Sequence, residues 1–161
     1  MDPHPLFADR AIPARARLGP FLMRGLGPED LDEDLAALRE TEGALQGLFG
    51  DPADPWPAGI TRDANLLDLC WHRREFLARR SFAWVIADPA TDAYLGCAYV
   101  YPGFFAGAPL KAVWWFRASA MPGRYETRAA GFGRRFLDWL AGPDWPEAEV
   151  VALGLPALAP S

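Results

Sequence analysis

Residues 128–140 read RAAGFGRRFLDWL, a strongly helical stretch that nevertheless carries two glycines, Gly131 and Gly133. Each glycine inside a helix costs about 1 kcal/mol relative to alanine, and alanine is used freely elsewhere in this chain. A helix that starts directly after a buried strand presents unpaired backbone N–H groups and the positive end of its dipole, a combination that attracts anions. Glycine keeps side chains out of the path of a diphosphate approaching those amides. The stretch follows "VWWFR" (113–117), so it reads as a strand-to-helix phosphate cradle with Arg128 as an added cation. A second use of the same glycines stays open: close packing of the helix on the sheet, with Thr127 as an ordinary cap.

Two familiar phosphate ligands are excluded by spacing. A dinucleotide fingerprint needs a third glycine at position 136, which is Phe136. A nucleotide P-loop needs Gly-Lys-Ser/Thr, and Lys111 is the sole lysine of the chain.

Upstream, "KAVWWFRA" (111–118) runs apolar without alternation, as suits a strand buried on both faces inside a helix-covered sheet. Before it, "SFAWVIAD" (81–88) and "AYLGCAYVYP" (93–102) are β-rich and flank "PATD", which predicts a β-hairpin. "RDANLLDLCWHRREFLARR" (62–80) predicts a helix capped by Thr61. Leu31, Leu35, Leu38 and Leu45 set the buried stripe of an earlier helix opened by Pro28, Glu29 and Asp30. "PFLMRGL" (20–26) predicts a first strand and "FGDPADPWPAG" (49–59) a loop; downstream, "AEVVALG" (148–154) predicts the final strand. The expected order is β, α, α, β, β, β, α, β in one domain over 20–154. An irregular, proline-rich arm (1–19) precedes it and a short tail (155–161) follows.

At 161 residues, with 51% apolar residues, seven Trp and ten Phe, the chain can bury roughly 68–70% of its unfolded surface around an aromatic core. A net charge of −5 argues against a nucleic-acid or anionic-membrane partner. No apolar run is long enough for a membrane span, and the N-terminus lacks a signal-peptide core. Two cysteines make no disulfide framework, so a cytoplasmic setting is expected.

The pattern Arg128-x-x-Gly131-x-Gly133 at a strand-to-helix junction resembles the acyl-CoA site of the GNAT superfamily of N-acetyltransferases. "FLMRGLGPEDLDEDLAALRE" is similar to that family's first strand and helix, and "FAWVIADPATDAYLGCAYVYP" to its second and third strands. The resemblance covers residues 20–154. It implies an α/β (α+β) fold with a mixed, mostly antiparallel central sheet flanked by helices. It implies acetyl-CoA or another acyl-CoA as co-substrate, an amine acceptor and no metal. By the same resemblance the amides of Ala129, Ala130, Gly131, Phe132, Gly133 and Arg134 would hold the pyrophosphate. The backbone of Phe116 and Arg117, on a strand that splays from the next, would pair with pantetheine. Three departures stand out. Ten residues, "ASAMPGRYET", separate Arg117 from Arg128, several more than usual. The family's last helix and closing hairpin, with its tyrosine acid, have no counterpart. "AVWWFR" also lacks the glutamate base of many members.

For catalysis the candidates are Tyr99 and Tyr101, which alternate onto one face of their strand and could line an acceptor site or relay a proton. The same pair also reads as tyrosines packed in the sheet. Tyr125 and Glu126 read equally as solvated loop residues. Cys70 and His72, i and i+2 on a helix, point about 200° apart and cannot share a site. Asp68 with His72, and Glu75 with Arg79, read as surface helix pairs, and "HRREFLARR" as a solvated basic face. Phe104 and Phe105 in "PGFFAGAPL" could cap a pocket, fill the core or form a contact. An uncovered edge at the final strand invites a homodimer or the N-terminal arm. The expected function is acyl-CoA-dependent N-acyl transfer by direct attack on the thioester. The alternatives are a non-catalytic CoA-binding or assembly module on the same scaffold, or a structural domain without CoA.

Overall fold

The computed structural model describes residues 2–103, 105, 107–123 and 128–158. Phe104, Tyr125, Glu126 and Thr127, singled out above, lie outside the described residues. Six strands form one sheet in chain order: β1 (Arg15–Leu18), β2 (Phe21–Gly25), β3 (Phe82–Ala87), β4 (Tyr94–Tyr101), β5 (Leu110–Phe116) and β6 (Val150–Leu155). All neighbours are antiparallel except β5 and β6, which are parallel and joined by a crossover through α3 (Phe132–Leu140). Helices α1 (Leu31–Leu45) and α2 (Arg62–Leu77) cover the other face. The mixed, mostly antiparallel sheet flanked by helices is the architecture expected from the sequence.

Period-two alternation sorts the central strands into two cores. Trp84, Ala98, Trp114 and Phe116 face α3, where they meet Phe132, Phe136 and Leu140. Val85, Tyr99, Val113 and Trp115 face α1 and α2, packing with Leu38, Leu45 and Leu69. The unbroken apolar run of β5 is thereby buried on both sides. The 82–101 hairpin forms as expected, its turn closed by Asp88 Oδ1, which accepts from the Ala90 and Thr91 amides. Thr61 caps α2 by accepting from the Ala64 N–H at 3.1 Å.

The ends of the chain differ from expectation. The arm is not irregular throughout: residues 15–18 form β1, paired with β2 around a two-residue Gly19-Pro20 turn in which Gly19 has φ +57°. Phe7 is fully buried, edge-on to Phe82 and Trp145, and the His4 N–H donates to the Arg79 carbonyl. The arm is therefore tied to β3 and the end of α2, not laid over β6. Leu155 belongs to β6, and the Pro156 carbonyl accepts from Trp114 Nε1 at 2.9 Å. The helical stretch expected from residue 128 onward is broken at Gly131, with a helical segment at 128–130 preceding α3.

Candidate functional site

The expected cradle sits where β5 leads toward α3. Ala130, Gly131 and Arg134 are exposed, while Ala129, Phe132 and Gly133 are buried. The Gly131 N–H donates to the Arg128 carbonyl at 3.1 Å. Arg128 is engaged by the protein itself: its guanidinium donates to the Pro20 carbonyl at 3.1 Å, lies 3.7 Å from Asp88 Oδ2 and stacks over Phe21. The two glycines have different tasks. A Cβ on Gly133 would come to 2.5 Å from the Trp114 indole, whereas one on Gly131 would meet only a carbonyl oxygen at 3.5 Å. Gly133 thus permits close packing, and Gly154 of β6 does the same from the strand side of the Trp114 ring.

This packing closes the expected pantetheine slot. β5 and β6 do not part: their pairing runs from Leu110↔Val150 to Trp115↔Leu155. The indole of Trp114, fully buried, fills the space between Gly133 and Gly154. Phe116 is 1% exposed among the rings of Phe21 and Phe132. The Arg117 N–H is taken by the Leu95 carbonyl at 2.8 Å. Its side chain ties β5 to α1 instead, donating to Glu40 through Nε at 2.8 Å and to Glu33 at 3.2 Å. Residues 128–134 line none of four cavities, of about 380, 710, 530 and 720 Å³, formed among the described residues.

A polar cavity opens on the opposite face, between α1, α2 and β4. It has a volume of about 380 Å³ and draws three carboxylates from three elements, Asp34, Asp54 and Asp68. No lysine or arginine lines it among the described residues. Its walls are Phe49, Trp56, Trp71 and both candidate tyrosines. Tyr99 and Tyr101 share this face as expected, their rings stacked 6.1 Å apart. The Tyr99 hydroxyl accepts from Trp115 Nε1 at 3.0 Å. Burial pushes both phenols well above their ordinary pKa, so they hold their protons at neutral pH. They shape the cavity and can donate hydrogen bonds in it.

Asp34 forms the floor. It is 4% exposed and accepts from Asn65 Nδ2 at 2.8 Å, from the Tyr94 hydroxyl and, at 3.8 Å, from the Cys97 thiol. Burial holds its carboxyl above the ordinary aspartate range, against the pull of those donors. Burial also raises the Cys97 thiol far above its usual value, which removes it as a nucleophile. His72 and Asp68 are cavity-lining residues, not a surface pair. The His72 ring lies 5.5 Å from that of Tyr99, and burial lowers its pKa to about 4, so it is neutral near pH 7. Glu75 is 8% exposed and pairs loosely with Arg80, at 3.8 Å, while Arg79 turns to the Ala8 carbonyl.

The residues that the sequence reading missed are Asp34, Asn65, Asp54 and Trp56. A signal existed for two of them. Asp34 falls within the Leu31–Leu35–Leu38 stripe of α1, and Asn65 shares the Leu69–His72 side of α2. Polar groups on an otherwise inward face carry a reason for being there.

No protein-family model matches the chain, and no curated protein matches it in sequence. Its fold does have solved counterparts. The ribosomal-protein-S5-alanine acetyltransferase from Vibrio fischeri superposes with a TM-score of 0.57 at 12% identity, over 80% of this chain and 67% of that one. A ribosomal L7/L12 α-N-protein acetyltransferase gives 0.59 at 8% identity, over 79% and 64%. The spermidine N-acetyltransferase from Vibrio cholerae, solved with CoA and spermine, gives 0.52 at 12% identity, over 74% and 63%. The chain thus spans about two thirds of the length of these structures. At such identities the likeness is one of fold: the chain has the fold of the GNAT acetyltransferases.

Proposed function

We propose that this chain is an acyl-CoA-dependent N-acyltransferase that transfers an acyl group, acetyl in the simplest case, to an amine bound between α1, α2 and β4. The observation that carries the reading is the position of the carboxylate-lined cavity. It lies against β4 of a GNAT-type sheet, on the face opposite the exposed turn at Ala130, Gly131 and Arg134. A donor docked by its diphosphate at that turn would meet the amine across β5, once β5 and β6 part to admit the pantetheine arm. The amine nitrogen attacks the thioester carbonyl, the C–S bond breaks, and the proton released by the amine ends on the departing thiolate. Asp68, exposed at the cavity and with its pKa raised by partial burial, is placed to carry that proton through solvent.

The packing of Trp114 favours a second reading, in which the scaffold binds the amine and transfers nothing. A buried indole wedged between Gly133 and Gly154 leaves no slot between β5 and β6. Calorimetric titration with acetyl-CoA, followed by a thiol-release assay over an amine panel, separates the two. Heat of binding with amine-dependent thiol release supports the transferase. Absence of both leaves the amine-binding module.

A further inference from the structure

The end of the sheet where β4 finishes and β5 begins borders a second cavity, of about 710 Å³. Its volume is that of a small-molecule site, and its lining is mainly apolar, with Phe49, Trp71, Pro102 and Pro109 among the walls. Two polar side chains enter it from the sheet. Tyr101, the last residue of β4, pairs in register with Lys111 of β5. Directly opposed residues of an antiparallel pair project on one face, with Cβ atoms about 4.5–5.5 Å apart. The phenol and the ammonium therefore belong to the same wall of the cavity.

Neither tip is fully used by the protein. The Lys111 ammonium donates to the Phe49 carbonyl at 2.9 Å and forms no ion pair among the described residues. An ammonium has three protons to donate, so two are left over. The Tyr101 hydroxyl keeps its proton at neutral pH and makes no hydrogen bond among the described residues. The Phe49 ring lies 6.0 Å from that of Tyr101, so the residue that holds the ammonium also packs beside the phenol. The other polar groups of the lining are engaged. Arg80 faces Glu75 at 3.8 Å and donates to the Asp2 carbonyl at 2.8 Å. His4 accepts from the Leu6 N–H and donates to the Gly103 carbonyl. What remains is the positive charge of Lys111 beside a phenolic donor, in apolar surroundings.

From these features we infer that this cavity binds an amphipathic monocarboxylate, an acid with an aryl or alkyl body. Its carboxylate accepts from the Lys111 ammonium and the Tyr101 hydroxyl together, and the charge strengthens both bonds. Its body covers Phe49 and Trp71, and the Trp71 ring, 41% exposed, gains from being covered. An organic cation would be repelled by Lys111. A phosphate dianion would find one cation for two charges. The site is distinct from the one proposed for the amine, which is built on Asp34, Asp54 and Asp68, and it stands whether or not the chain is a transferase.

The test is calorimetric titration of the full chain with 4-phenylbutanoate at neutral pH, against the neutral 4-phenylbutanamide and 4-phenylbutan-1-ol. The carboxylate binds about tenfold tighter than either. Lys111→Met, which keeps an apolar stem, weakens it about tenfold, and Tyr101→Phe about threefold, with urea midpoints confirming that both variants fold. A second readout needs no variant, because Lys111 is the sole lysine of the chain. Bound 4-phenylbutanoate slows acylation of Lys111 by acetic anhydride, followed by peptide mass spectrometry, and the amide does not. Equal binding of the amide, indifference to both substitutions, an unprotected Lys111, or no binding at millimolar ligand overturns the inference. Failure of acetyl-CoA to bind or to release thiol overturns the transferase reading alone.

Discussion

Gly131 and Gly133, two residues apart, respond oppositely to the same substitution. Gly133→Ala drives a methyl into the Trp114 ring, which is held on its other side by Gly154. An overpacked core of this kind loses about 1–3 kcal/mol, read as a lower urea midpoint at unchanged slope. Gly131 has φ −82° and ψ −13°, ordinary helical values, and room for a Cβ. Gly131→Ala is therefore neutral or stabilising by up to about 1 kcal/mol. Gly131→Glu keeps the fold, and if CoA docks at this turn it abolishes the thermal stabilisation that CoA confers. His72 makes a third residue-scale prediction. Its pKa falls from 6.5 in the unfolded chain to about 4 in the folded one. The unfolded state then binds more protons between those values, so stability drops as pH falls through that window. The slope is at most about 1.4 kcal/mol per pH unit. Urea midpoints of wild type and His72→Gln measured from pH 7 to pH 4 should diverge, the variant losing that part of the slope.

Arg117 ties the end of β5 to α1. Its side chain, 14% exposed at the end of β5, reaches Glu40 and Glu33 on α1, and the Glu40 carboxylate also accepts from the Ser119 amide at 2.7 Å. The Glu33 arm is 68% exposed and contributes no more than about 1 kcal/mol. The Glu40 arm is more enclosed, and Arg117→Met costs about 1–3 kcal/mol in all. A double-mutant cycle between Arg117 and Glu40 should recover most of that as coupling, and one between Arg117 and Glu33 little. At this scale the chain was readable where a single periodicity dominates. The Leu31–Leu45 stripe, the Thr61 cap and the 82–101 hairpin are local patterns, and each forms where the residues predict it. β1 was not readable in that way. Arg15, Ala16, Arg17 and Leu18 form a short, polar edge strand whose only local sign is the Gly19-Pro20 turn.

At the scale of the whole molecule, β6 forms one edge of the sheet. Val151 is 46% exposed, and the N-terminal arm is anchored at β3 and α2 instead. An uncovered strand edge pairs readily with another. Light scattering should therefore show a homodimer whose fraction rises with concentration, and Val151→Lys should return it to monomer. A monomer at all concentrations argues against edge pairing. The same scale decides the candidate site. The Arg128-x-x-Gly-x-Gly stretch is helical on both sides of a break at Gly131, and Trp114 and Gly154, distant in sequence, determine that Gly133 serves packing. The carboxylate cavity takes Asp34 from α1, Asp54 from a loop and Asp68 from α2.

The sequence alone determined the strand and helix order from β2 onward, the two-faced burial of β5, and thereby a GNAT-like sheet. Those features follow from periodicities of two and of 3.6 residues that neighbouring side chains express locally. Only the tertiary structure decided that β5 and β6 stay paired, and that three aspartates face five aromatic rings across one cleft. Both depend on which surfaces meet when distant segments pack, and spacing along a chain carries no record of that.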